Sequence, residues 1–212
     1  MSIRNAEATR RRILEAARHE FARYGVAGAR VNRIAEAAEC NKQLLYAYYG
    51  DKDGLYAATR EEITRQTTSA VPFDADDLPG YAGRLFDHHQ RHPDNLRVIG
   101  WAQLEGLSTE TMSPGSPGSP GSPGSPGSPG SPASFESTHQ KIAAIRAAQE
   151  RGTVRADRSP EELLALVLKL STLGSPGSPE STYPGKTAAD FRGLIVSAVH
   201  ELVARQNTGT GA

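Results

Sequence analysis

The sequence predicts an all-α protein, and three observations carry that expectation. Apolar residues recur at helical spacing through most of the chain. No segment alternates apolar and polar residues as a half-buried strand does. Two short helical stretches near the N-terminus are spaced as the halves of a helix-turn-helix.

The elements follow in order. Thr9 to Tyr24 places Ile13, Ala17, Phe21 and Tyr24 at helical spacing with Leu14 beside them, and Gly25 closes the run as a C-cap. Val31 to Ala38 sets Ile34, Ala35 and Ala38 on one face. Asn41 caps a third short helix whose apolar stripe is Leu45 and Tyr49, and Gly50 breaks it. Asp51 caps a longer helix through Leu55, Ala58 and Ile63, closed by Val71-Pro72. An acidic turn, Asp74 to Asp77, precedes Leu78, Tyr81, Leu85 and Phe86 in helical register. His92-Pro93-Asp94 punctuates, and Leu96 to Leu107 follows as a hydrophobic helix containing Trp101. Phe135 to Arg151 carries Ile142 and Ile145 and stops at Gly152. Pro160 to Leu173 opens with a serine cap, a proline and two acids, the pattern of a helix start. Thr187 to Arg205 holds the stripe Phe191, Leu194, Ile195, Ala198, Val199, Leu202 and Val203.

Two tracts stand apart. Residues 113–132 are six Ser-Pro-Gly triplets and a final Ser-Pro, and residues 174–179 are a shorter copy. Together they hold 8 of the 21 glycines and 9 of the 14 prolines, so they depress the apolar fraction of the rest. Six triplets on one chain are too few for a collagen-like triple helix beside a helical domain. Both tracts read as linker or filler, set aside from the fold.

The net charge of zero, 24 basic against 24 acidic residues, hides a division. Residues 1–60 carry 11 basic and 7 acidic side chains, whereas residues 61–212 carry 13 and 17. A basic block on an acidic body points to a polyanion partner for the first part alone. A single cysteine, Cys40, excludes an internal disulfide framework and suits a reducing compartment. The longest apolar run, Leu163 to Leu168, is too short to span a bilayer. Glu15, Arg18 and Glu20 interrupt any apolar stretch behind Arg10, Arg11 and Arg12, which excludes a signal peptide. The expectation is a cytoplasmic protein without a membrane partner.

The chemistry concentrates in residues 28–55. Ala35 and Ala38 let the second helix approach the third closely, so that the third stands out and can enter a major groove about 12 Å wide. Its outward face would show Lys42, Gln43, Tyr46 and Tyr48. These are a cation for phosphate, an amide able to read a base edge, and two hydroxyls able to donate to phosphate. Lys52 opens the next helix, where its ammonium and free backbone N–H groups could meet another phosphate.

These residues carry a resemblance. Ile34-Ala35-Glu36-Ala37-Ala38, Lys42, Leu45-Tyr46-Ala47-Tyr48-Tyr49 and Gly50-Asp51-Lys52-Asp53-Gly54-Leu55, with Ile13-Leu14-Glu15-Ala16-Ala17 to Phe21 and Gly25 before them, resemble the DNA-binding domain of the TetR family of bacterial transcriptional regulators. The motif match covers about residues 9–60. Beyond it, residues 152–157 and 160–163 are similar to the family's late helix-helix turn. The resemblance implies that Lys42, Gln43, Leu44, Tyr46, Ala47 and Tyr48 lie on the recognition helix, that Tyr46 and Lys52 contact phosphate, and that Asn32 and Arg33 touch DNA. The chain departs from the pattern at Glu39, where the turn usually has glycine, at Leu44, which replaces a hydroxyl residue, and at Tyr48, where histidine is frequent. A non-glycine residue at position 39 must then accept the turn's backbone.

Competing readings bear on the remaining candidates. Arg10 to Arg12 oppose the macrodipole if they sit in a first helical turn, which a nearby phosphate would explain. His88 and His92, at i and i+4 with His89 between them, invite a metal reading, but no third ligand has motif spacing and Pro93 truncates the helix. Cys40 reads as a small buried hydrophobe rather than a redox sensor. No nucleophile–base pair, phosphate loop or CxxC motif occurs, so no enzyme, cofactor or metal site is expected.

The resulting expectation has two parts. Residues 1–52 form a helix-turn-helix DNA-binding domain, and residues 53–212 a helical bundle for effector binding and dimerisation. By the resemblance, an unknown small-molecule effector would lie against Tyr81, Phe86, His89 and Trp101. The apolar stripes of the last two helices would form a homodimer through Leu166, Leu170, Leu194, Ala198 and Leu202. The dimer would bind a palindromic double-stranded DNA operator, most simply as a repressor. Alternatives are a DNA-binding factor whose body recruits a protein partner, and a metal enzyme built on the histidines.

Overall fold

The computed structural model describes residues 3–104 and 132–204. Among the described residues there are nine α-helices, one 3-10 turn and no strand. The helices are α1 (Ile3–Gly28), α2 (Val31–Ala37), α3 (Lys42–Tyr49), α4 (Lys52–Ala70), α5 (Leu78–Arg91), α6 (Pro93–Leu104), α7 (Pro132–Arg151), α8 (Pro160–Leu170) and α9 (Ala188–Val203), with the 3-10 turn at Pro179–Thr182. Residues 105–107 of the predicted Leu96–Leu107 helix, and the long tract up to residue 131, lie outside the described residues.

The chain divides into two compact units. Described residues 3–66, 94–104 and 132–134 form the first, and residues 67–93 and 135–204 the second. The first unit therefore extends past residue 52, where the helix-turn-helix motif ends. One long helix and two short ones, all rich in alanine, bury too little apolar surface alone, so α4 and α6 complete their core. Leu55, Tyr56 and Ile63 of α4 and Val98 of α6 share one buried cluster with Ile13, Phe21, Ile34 and Leu45. The Phe21 and Tyr56 rings meet edge to face at 5.1 Å, and the Tyr56 hydroxyl donates to the Val98 carbonyl at 2.6 Å.

Local chemistry explains the helix ends. Gly25 takes φ 67°, ψ −178°, breaking α1 where the sequence places its cap, and one further turn buries Val26. At its other end α1 begins at Ile3, so Arg10 to Arg12 lie about two turns inside it and the first-turn macrodipole argument does not apply to them. Pro93, expected to punctuate, is instead the first residue of α6, where a missing N–H costs nothing.

The second unit packs α5 against α8 and α9, with Leu78, Phe86, Ile145, Leu163 and Ile195 each at most 1% exposed. Ser159 and Glu162 form a capping box on α8, and Thr187 and Asp190 another on α9. The Asp87 carboxylate accepts from Arg192 Nε at 2.9 Å, joining α5 to α9.

The start of the short tract packs into the second unit. Gly174 adopts φ +69°, and a Cβ there would lie 2.3 Å from the Phe191 ring. Ser175 is 1% exposed, and Gln90 Nε2 donates to the Gly174 carbonyl at 3.1 Å. Residues 174–179 thus belong to the fold, because only a side chain as small as glycine's lets the chain cross Phe191 this closely. The helix before it ends at Leu170 rather than Leu173, and the chain then tightens into a turn in which the Thr172 N–H donates to the Lys169 carbonyl at 3.1 Å and the Leu173 N–H to the Leu170 carbonyl at 3.0 Å.

Candidate nucleic-acid interface

The helix-turn-helix is built from small residues and caps. Ala35 and Ala38 are buried between Ile34 and Leu45, which are 0% and 2% exposed. Residues 38–41 make the turn, in which the Cys40 N–H donates to the Ala35 carbonyl at 3.0 Å. Glu39 stands at φ +50°, so this glutamate does accept the left-handed backbone that glycine adopts freely. Its carboxylate accepts from Arg12 Nη1 at 3.3 Å, an exposed contact of small energetic weight. The Asn41 side chain caps α3 by accepting from the Leu44 N–H at 2.7 Å.

At the far end of α3 the chain turns through Gly50, at φ 77°. Asp51 Oδ1 accepts from the Gly54 N–H at 2.7 Å and so caps α4. Gly54 lies so close to α3 that a Cβ would fall 2.1 Å from the Tyr49 carbonyl oxygen. Gly54 thereby sets how near α4 comes to the end of α3.

This frame presents α3 outward. Lys42, Gln43, Tyr46 and Ala47 are exposed, while Leu44 and Tyr48 are half-buried and Leu45 anchors the helix. Lys42 Nζ lies 5.7 Å from the centre of the Tyr46 ring. Asn32 is exposed in the first turn of α2. Lys52 is half-buried at the start of α4, its Nζ donating to the Ala27 carbonyl at 3.4 Å.

Arg33 is arranged differently from the other candidates. Its Nε donates to Glu20 Oε1 at 2.8 Å, its Nη2 reaches the same oxygen, and its guanidinium stacks 4.2 Å from the centre of the Tyr24 ring. Glu20, 9% exposed, also accepts the Arg30 N–H at 2.8 Å. The hydrogen bond to Glu20 raises the Arg33 pKa above its ordinary value. Arg33 thus helps clamp α2 onto α1 in this conformation, with its Nε and Nη2 donors engaged by Glu20. Sequence reading missed Glu20, because no local pattern pairs residues 13 positions apart.

Tyr81, Phe86 and His89 are buried on α5 in the second unit. Trp101 belongs to the first unit, where its Nε1 donates to the Ala22 carbonyl at 3.4 Å. Open concavities of about 540 and 140 Å³ are lined by first-unit residues, none of them an effector candidate. The histidines do not converge as ligands. His88 Nε2 shares a 3.2 Å hydrogen bond with Thr67 Oγ1, and the His92 ring packs 4.6 Å away, centre to centre. No group of three metal-ligating side chains occurs among the described residues. Burial, reinforced by neighbouring His88, holds the His89 pKa down at about 4. Cys40 is half-buried, and desolvation pushes its thiol pKa up, away from reactivity.

On α8 and α9 the inward residues Leu163, Leu164, Val167, Phe191, Ile195 and Val199 are buried. Leu166 and Leu194 remain 39% and 54% exposed, and Leu170, Ala198 and Leu202 are half-buried. The two helices thus carry an apolar face left over after the core is built. Among the described residues no helix is long and apolar enough to cross a membrane.

Comparison with known proteins agrees with this geometry. Residues 13–59 match the family described as bacterial regulatory proteins, tetR family. Residues 77–116 and 124–205 match the tetracyclin repressor-like C-terminal domain. The chain is 39% identical over 171 residues to the HTH-type transcriptional repressor SCO4008 of Streptomyces coelicolor, covering 81% of this chain and 80% of that protein. A crystal structure of the putative transcriptional regulator SCO4942 from Streptomyces coelicolor superposes with a TM-score of 0.72 at 33% identity, covering 93% of this chain and 99% of that one. A putative TetR-family regulator from Rhodococcus shares the fold, with a TM-score of 0.63 at 21% identity over 93% of this chain and all of that one. Two adjoining domain matches, a substantially identical relative and a protruding helix-turn-helix agree: the chain belongs to the TetR family of bacterial transcriptional regulators.

Proposed function

We propose that the protein is a ligand-responsive repressor that binds a palindromic operator as a homodimer. The observation that carries this reading is the outward face of α3. Lys42, Gln43, Tyr46 and Ala47 are exposed on a short helix pinned by Leu45 and braced at its end by Gly54. Membership in a family of regulators, with a relative named as a repressor, sets catalysis aside.

In this mechanism residues 1–52 read DNA, and residues 53–212 bind the effector and dimerise, with α4 and α6 buttressing the reading head. Gln43 reads a base edge in the first turn of α3; Lys42, Tyr46, Tyr48 and Lys52 hold phosphates; Leu44 and Ala47 offer apolar contact to a thymine methyl; Asn32 adds a contact from α2. Arg33 joins only if the Glu20 clamp opens. Leu166, Leu170, Leu194, Ala198 and Leu202 of two protomers cover one another about a twofold axis. That pairing places two recognition helices about 34 Å apart, one turn of DNA. A small molecule held near Tyr81, Phe86 and His89 releases DNA by binding more tightly to the arrangement that does not fit the operator. Trp101 lies in the first unit, its Nε1 donating to the Ala22 carbonyl. Such a regulator works where bacterial DNA is, in the cytoplasm.

The test is sedimentation of the full chain with a duplex selected by it, followed by a small-molecule screen for release. Two chains per duplex, and release by a compound that also raises the protein's melting temperature, are expected. One chain per duplex at saturation contradicts the dimer. Release that requires a second protein would favour a body that recruits a partner.

A further inference from the structure

The N-terminal basic block is not uniform in its pairing. Arg12 is matched by Glu39 and Arg33 by Glu20. Arg10, exposed on α1, makes no ion pair among the described residues. Its guanidinium carbon instead lies 4.8 Å from the centre of the Tyr48 ring, on α3. Tyr48 is itself held edge to face against Tyr49, with ring centres 6.1 Å apart. Tyr49 is half-buried, packed against the core of the first unit, and its hydroxyl has no hydrogen-bond partner among the described residues.

We propose that Arg10 is part of the DNA-contacting surface, gripping a backbone phosphate beside the far end of α3 from its seat on Tyr48. This rests on the reading of α3 as the recognition helix. An arginine stacked on a braced ring loses little further freedom when it meets a phosphate, and its planar fork suits that anion. Lys42 stands at the first residue of α3 and Arg10 at Tyr48, six residues on, or about 9 Å along the helix axis. A cation with no ion pair among the described residues is thereby set at each end of the segment proposed to enter the groove. Arg33 is clamped to Glu20, and Arg12 already has an exposed partner in Glu39. The stack also gives Tyr48 a second role, since its ring face supports Arg10 and is closed to a base.

The test measures binding of the full chain to a labelled random-sequence duplex, whose phosphates suffice for this contact, over a range of salt concentrations. Each lost phosphate contact removes about 0.9 from the slope of log affinity against log salt, or about 1.8 for two protomers. The advantage of the unsubstituted protein over Arg10→Gln should therefore shrink about twelvefold between 50 and 200 mM salt. Arg10→Lys, which keeps the charge, should retain the slope. In a Tyr48→Leu background, Arg10→Gln should have a smaller effect, because the seat is already gone. Thermal melts of each variant check that the fold persists. The proposal is overturned if Arg10→Gln leaves the slope unchanged, or if its effect is equal with and without the Tyr48 ring. Lys52→Gln separates the two levels of the argument. If it weakens binding while Arg10→Gln does not, only Arg10 is misassigned; if neither matters, the α3 interface itself is wrong.

Discussion

Replacing Gly54 with alanine should destabilise this protein, although alanine is the better helix former. In an open helical position the exchange gains up to about 1 kcal/mol. At position 54 the added Cβ would lie 2.1 Å from the Tyr49 carbonyl oxygen, about 0.9 Å inside the 3.0 Å that real Cβ contacts respect. The obstacle is backbone, so no side-chain rotation relieves it. Either α4 moves off the end of α3 or the Gly50 turn distorts. Overpacking of this kind costs up to about 3 kcal/mol, so the net loss is about 2 kcal/mol once propensity is credited. Gly100, in α6 of the same unit, has nothing within 4 Å of its would-be Cβ. Gly100→Ala should stabilise by about 0.5–1 kcal/mol. Urea unfolding of both variants gives the comparison, and their signs should be opposite. DNA binding by Gly54→Ala should fall even where the protein remains folded, because the α3–α4 junction orients the recognition helix and Lys52 together. Two stabilised variants, or a Gly54→Ala protein that binds DNA at full strength, would refute the argument that close approach at Gly54 positions α3.

Other perturbations probe the remaining parts. Gln43→Ala should cost about 1–3 kcal/mol on the preferred site and little on random DNA, read by competition binding; equal losses on both would deny it a reading role. His89 is buried with its pKa lowered to about 4, against 6.5 for the free group. Its neutral form is favoured in the fold, so its stability contribution is full above pH 6.5. It is lost as pH falls toward 4, where the unfolded chain takes up the proton first, by a total of about 3 kcal/mol. His89→Leu should flatten that part of the stability–pH curve, and an unchanged curve would contradict the burial argument. Ala198→Arg should leave the protein monomeric in sedimentation, since it would place like charges near the twofold axis of the proposed dimer. A dimer that tolerates the arginine would move the interface away from this face of α9.

The elements were legible in the sequence because their determinants are local. Asn41, Asp51, Ser159 and Thr187 cap the helices that follow them. Glu39 could be singled out as a non-glycine residue in a glycine position, and its φ is positive. What escaped was set by contacts between distant segments. The Glu20–Arg33 clamp depends on how α1 crosses α2. The enlistment of α6 into the first unit depends on how much apolar surface α1, α2 and α3 leave uncovered, which periodicity does not report. Trp101 went with α6 into the first unit. Repetition made residues 174–179 look detachable, whereas what matters there is the lack of a Cβ under Phe191. The start of α1 at Ile3 lacked an apolar stripe to announce it, and that moved Arg10 from a capping argument to a stacking one.

The central claim is that α3, presented by a twofold dimer, reads a specific DNA sequence. Selection of bound duplexes from a random pool by the full chain tests it most directly. The account expects two inverted half-sites centred one DNA turn apart, about 10 base pairs, or a multiple of that. It also expects the consensus to relax within each half-site when Gln43 is replaced by alanine. A pool that emerges without enrichment, or a single asymmetric site indifferent to Gln43, would contradict it.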